Sequence, residues 1–159
     1  MKHDIELKVN GELYRVQVDS RRTLLELLRE QLGLTGTKEM CNKGDCGGCT
    51  VIIDKRPVLS CMMLAVEADG KEVLTIEGLA GLGYSLDPLQ KSFVDYGAIQ
   101  CGYCTPGFIM AAKALLERNP EPTEEEIREA ISNNICRCTG YVQIVEAIQA
   151  AAGRKGGAR

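Results

Sequence analysis

Cys41, Cys46 and Cys49 lie within ten residues, Met40 to Cys49, separated by four and two residues with glycines between them. Thiolates at that spacing are metal ligands in search of a fourth partner. Cys61, after eleven intervening residues, completes the C-x4-C-x2-C…C pattern of a plant-type [2Fe-2S] site. Structural zinc more often shows paired knuckles, and free or disulfide-bonded thiols are the remaining alternative. Gly44, Gly47 and Gly48 allow torsions that turn backbone amides inward, where they support an anionic core.

Four further cysteines stand in two pairs, Cys101 with Cys104 and Cys136 with Cys138. Each pair precedes a predicted helix, so helix N-termini offer free N–H groups and positive dipole ends to sulfur. By spacing alone this second set suits zinc as well as iron.

The elements that must position these thiols follow from periodicity. Ile5, Leu7 and Val9 alternate, Asn10-Gly11 is a two-residue turn signal, and Leu13 to Val18 alternates again, which predicts a hairpin. Thr23 to Gln31 carries a leucine stripe at helical spacing, with Gly33 as C-cap. Thr50 to Ile53 reads as a strand, Asp54 to Pro57 as a turn, Val58 to Cys61 as the return and Val73 to Ile76 as a last strand. This order is that of a β-grasp plant-type ferredoxin over residues 1–77. Residues 78–159 then form a helical domain, opened by a glycine-containing linker from Gly78 to Leu86. Its four helices start near Leu89, at Thr105-Pro106 with Thr105 as N-cap, at the Thr123-Glu126 capping box, and after Thr139 as cap. A four-helix bundle is expected, with a disordered tail from about Gly153. The fold class is α+β.

Composition removes other chemistries. A formal net charge of −3 without a basic stripe argues against nucleic acid. No apolar run reaches the length of about 18 residues needed to span a bilayer, so direct membrane insertion is not expected. In the reducing cytoplasm, the expected location, clustered cysteines read as metal ligands; export within a preassembled complex on a partner's signal is compatible with the same sequence. His3 is the only histidine, which excludes a Rieske centre and a Cys-His nucleophile pair. Neither a Gly-x-Gly-x-x-Gly after a strand nor a P-loop occurs. Glu124, Glu125 and Glu126 read as an acidic first helical turn.

Cys101-Gly-Tyr-Cys-Thr-Pro-Gly107, Asn134-Ile-Cys-Arg-Cys-Thr-Gly-Tyr141 and the first cysteine loop together closely resemble the small iron-sulfur subunit of the xanthine oxidase family of molybdenum hydroxylases. The resemblance covers nearly the whole chain. It implies that Cys101, Cys104, Cys136 and Cys138 hold a second [2Fe-2S] cluster. It also implies a large molybdopterin subunit and a medium FAD subunit as partners, as in a dimer of heterotrimers. In that circuit the small subunit relays single electrons, its helical-domain cluster beside the pterin and its ferredoxin-like cluster facing the flavin. Gln100 and Cys138 match positions that approach the pterin through hydrogen bonds; an alternative for Gln100 is a local backbone contact. A free-standing two-cluster ferredoxin is the rival reading, which the helical domain disfavours. No residue of the chain identifies the substrate.

The family usually has Gly where this chain has Met40, and often Gly and Ala at Asn42 and Gly48. A side chain at position 40 disfavours left-handed backbone. Met40 is therefore expected to alter local torsions and to shield the cluster.

Overall fold

The computed structural model describes residues 1–80 and 85–153. The middle of the predicted linker and the predicted disordered tail beyond residue 153 lie outside them. Strands β1 (Lys2–Val9) and β2 (Glu12–Asp19) pair antiparallel, with Lys2 opposite Asp19 and Val9 opposite Glu12. Asn10 (φ 52°) and Gly11 (φ 88°) both take the left-handed backbone that a tight two-residue hairpin requires. Asn10 also ties the hairpin to the chain just after the neighbouring strand: its side-chain oxygen accepts from Thr75 N at 2.8 Å, and its amide donates to Thr75 Oγ1 at 2.9 Å.

The sheet is mixed, in the order β2-β1-β5-β3-β4, with β5 (Glu72–Leu74) parallel to β1 and antiparallel to β3. β3 (Thr50–Ile53) and β4 (Arg56–Leu59) form a second hairpin. Asp54 (φ 48°) and Lys55 (φ 67°) alone make its turn, so Arg56 and Pro57, predicted as turn, instead begin the strand. Pro57 is tolerated there because β4 is an edge. The last strand ends earlier than its β-branched residues predict, since Ile76–Gly78 is a 3-10 turn.

Thr23 caps α1 (Leu24–Glu26) through a capping box with Glu26, and the chain continues as a π-turn over Leu27–Gln31. Leu24, Leu27 and Leu28 pack on Ile5, Val51 and Val73, while Leu25 turns toward Cys49 and Cys61. All four β3 residues are buried, which explains its unbroken apolar run. Val51 and Ile53 face the leucines, and Ile52 faces Met110 and Ala114 on the opposite side.

Met110 and Ala114 belong to α3 (Thr105–Arg118), so the helical half docks directly on the sheet. α2 (Pro88–Asp95), α4 (Glu124–Ala130) and α5 (Val142–Gly153) complete it around Phe93, Phe108, Ile127, Ile144 and Ile148. Each such buried side chain contributes about 1.5–3 kcal/mol. Ser92 Oγ donates to the Ala147 carbonyl at 2.6 Å, tying α2 to α5. The Thr123–Glu126 capping box forms as predicted, and donation from the Thr123 N–H and hydroxyl holds the Glu126 carboxyl below its ordinary range.

Two predicted caps differ. Cys104, not Thr105, is the N-cap of α3, with Thr105 already helical and buried. α5 starts only at Val142, so Thr139 is too far upstream to cap it. The Thr139 hydroxyl points to sulfur instead.

Candidate metal centres

The first cysteine loop brings its thiols together as two couples. The Cys41 thiol interacts with that of Cys46, and the Cys61 thiol with that of Cys49. Cys46, Cys49 and Cys61 are buried, and Ser60 holds the last of them in register by donating Oγ to the Cys49 carbonyl at 2.8 Å. Of the three loop glycines expected to turn amides inward, Gly44 and Gly48 aim theirs at sulfur. The Lys43 N–H, with those of Asp45 and Cys46, lowers the Cys41 thiol to about 7. Burial pushes Cys61 up to about 12 despite a hydrogen bond from the Gly44 backbone, and burial also raises Cys46 despite one from Gly48.

The three loop glycines have different reasons. Gly44 (φ +87°) and Gly47 (φ +70°) use left-handed backbone. Gly48 does not. Its open side is filled by the Met40 side chain, which a β-carbon there would displace. Met40 itself is not left-handed, in keeping with the side chain it carries, and Asn42 (φ 52°) takes left-handed backbone nearby. Met40 is 40% exposed, and Met62, 63% exposed, lies over Gly44.

The second set also resolves into couples. The Cys104 thiol interacts with that of Cys136, and Cys138 lies 3.7 Å from Cys101, sulfur to sulfur. Burial, reinforced by the Cys136 thiol, pushes Cys104 up to about 12. Burial opposes ionisation of Cys136 more than any other single influence, but the Thr139 hydroxyl and the amides of Cys138 and Thr139 together outweigh it and lower the thiol. Thr139 Oγ1 donates to Cys136 Sγ at 3.1 Å. The Tyr141 phenol oxygen accepts from the Cys136 N–H at 3.0 Å and packs edge-on against Phe108. Contact with Cys101 raises Cys138. Cys101 and Cys138 are exposed, next to Gln100, which is exposed and makes no side-chain hydrogen bond among the described residues. The local backbone role considered for Gln100 is therefore absent.

The two sets meet at a polar junction that sequence reasoning missed. The Ile135 N–H donates to the Cys46 carbonyl at 3.0 Å, Asn134 Nδ2 donates to the Gly47 carbonyl at 3.0 Å, and Tyr103 Oη donates to the Glu39 carbonyl at 2.9 Å.

Among the described residues, no three His, Cys, Asp or Glu side chains converge closely enough for one metal ion. Two couples per set are instead what a two-iron core needs, each iron taking two thiolates. Buried sulfurs ringed by N–H and O–H donors fit that anionic core, and loading it displaces the thiol protons.

A mixed ferredoxin-like sheet and two four-thiol sets define a two-cluster iron-sulfur protein. Residues 7–75 match the 2Fe-2S iron-sulfur cluster binding domain, and residues 75–149 match the [2Fe-2S] binding domain. The chain thus binds two [2Fe-2S] clusters. It is 50% identical to the nicotinate dehydrogenase small FeS subunit of Eubacterium barkeri, over 96% of this chain and 97% of that protein. Nicotine 6-hydroxylase small subunit of Paenarthrobacter nicotinovorans is 48% identical over 96% of this chain and 92% of its own. Quinoline 2-oxidoreductase from Pseudomonas putida superposes with a TM-score of 0.91 at 45% identity, covering 96% of this chain and 94% of that one. Aldehyde oxidoreductase from Desulfovibrio gigas superposes at 0.90 and 44% identity over 95% of this chain, which there corresponds to 17% of a longer polypeptide. The chain belongs to the small iron-sulfur subunits of the xanthine oxidase family.

Proposed function

We propose that this chain is the electron-relay subunit of a molybdenum-flavin hydroxylase complex, passing single electrons between a molybdopterin centre on a large partner and FAD on a medium one. Two separate thiol sets, one enclosed and one opening on the surface at Gln100, Cys101 and Cys138, are the observation that carries the reading. Each [2Fe-2S] group, when bound, supplies one-electron acceptance at potentials that for plant-type centres lie near about −400 mV. Cys41, Cys46, Cys49 and Cys61 would hold the first, and Cys101, Cys104, Cys136 and Cys138 the second. The chain's residues do the rest: Gly44, Gly48 and Thr139 donate to sulfur, and Leu25 packs over Cys49 and Cys61. No open ligand position is left for a substrate.

Gln100 and Cys138 form the side assigned to the pterin, and the Met40 loop the side assigned to the flavin. We further assign residues 1–77 and 78–159 as two domains, the second a four-helix bundle, within a cytoplasmic dimer of heterotrimers. No described helix is long and apolar enough to cross a membrane. A free-standing ferredoxin is disfavoured because the relatives are named as subunits.

Native purification tests the reading. Molybdenum- and flavin-bearing subunits should co-purify, and substrate of the complex should bleach the clusters. A monodisperse chain with neither subunit attached contradicts it.

A further inference from the structure

Resting on the relay reading, we propose that Asn134, seated against Gly107, is a positioning residue that fixes the separation of the two iron-sulfur groups. Asn134 is 5% exposed and holds no thiol. Its carboxamide reaches across the molecule to the carbonyl of Gly47, a residue 87 positions away in sequence and flanked by the buried thiols Cys46 and Cys49. From the other side, the first turn of α3 presses on the same carbonyl: a β-carbon on Gly107 would collide with Gly47 O and come within 3.2 Å of Asn134 Nδ2. Gly47 is hemmed in as well, since a β-carbon there would lie 2.5 Å from Asn133 O and from Asn134 Nδ2.

One carbonyl is thus the meeting point of three segments that together carry seven of the eight cysteines. The segments are the loop of Cys41 to Cys49, the turn of Cys101 to Cys104 that leads into α3, and the loop of Cys136 and Cys138. Gly47 O already accepts from Thr50 N at 3.2 Å and Thr50 Oγ1 at 2.7 Å, both from its own side of the junction. The Asn134 bond is therefore not required to satisfy that carbonyl. Its distinct effect is to lock one metal loop to the other, with the adjacent Ile135 N–H to Cys46 carbonyl bond as the second rung. Electron transfer and magnetic coupling between two centres both depend steeply on their separation, so a bond at this place acts on the relay without touching either centre.

The separation can be read from the splitting that two reduced, paramagnetic centres impose on each other's EPR lines. In the dithionite-reduced holoprotein, Asn134→Ala should load both clusters and keep their individual g-values, but lose part or all of the splitting. Gly107→Ala, which forces the loops apart by steric means, should reduce it too. Thr50→Val removes a donor from the same carbonyl within one loop and should leave it unchanged, although a merely structural carbonyl would respond to Thr50 as much as to Asn134. If Asn134→Ala fails to load, Gly107→Ala carries the test alone. Wild-type splitting in the loaded variants overturns the proposal while the relay reading stands. A wild-type holoprotein without two reduced-cluster signals overturns both, which separates the two failures.

Discussion

The two thiol sets have the same ligand number and opposite relations to the surface. The first closes on itself: three of its four sulfurs are buried, Leu25 backs them, and Met40 and Met62 lie over the glycines of the loop. The second leaves Cys101 and Cys138 open, half-buries Cys104 at the start of α3 and buries only Cys136. The first set is thus shielded by this chain's own residues, whereas the second keeps two of its thiols at the surface.

The comparison breaks most sharply at the ligands. Cys41→Ser should abolish one EPR signal and Cys138→Ser only the other; loss of both signals in either folded variant contradicts the division into two sets. Packing comes next. Met110→Ala, at the contact of α3 with Ile52, should destabilise the protein by about 2–5 kcal/mol, and thermal unfolding should show both halves affected because they share that core. Thr139→Val removes an O–H donor from Cys136 and should lower the potential of the second centre alone. A difference of about 1 kcal/mol between oxidation states corresponds to on the order of 40 mV for one electron. Redox titration that moves the first potential instead would reverse the assignment. The smallest effect is expected at Met40→Gly, which should speed reaction of the first centre with external oxidants a few-fold; if both that rate and the potential stay unchanged, Met40 is not a shield.

The first four cysteines read as an iron-sulfur set because ligand spacing is a local property, whereas Cys101, Cys104, Cys136 and Cys138 drew that reading from family resemblance; the hairpins and helices were legible because their periodicities are local too. Thr105 and Thr139 misled for an equally local reason. A Thr before a helical run is a good cap by type, yet here the first is drawn into the helix and the second is turned to sulfur. Asn134 gave no signal at all, since one Asn in a polar loop has no period and its partner, Gly47, is distant in sequence. Met40 was visible as an oddity, but its contact with Gly48 depends on the folded loop. Short-range chemistry survives projection onto the sequence, and contacts between distant loops do not.

EPR of the dithionite-reduced protein, joined to iron and acid-labile sulfide analysis, tests the central claim most directly. Two distinct S = 1/2 signals, with two iron and two sulfide for each centre, are predicted. A colourless protein carrying zinc and no such signals would contradict it.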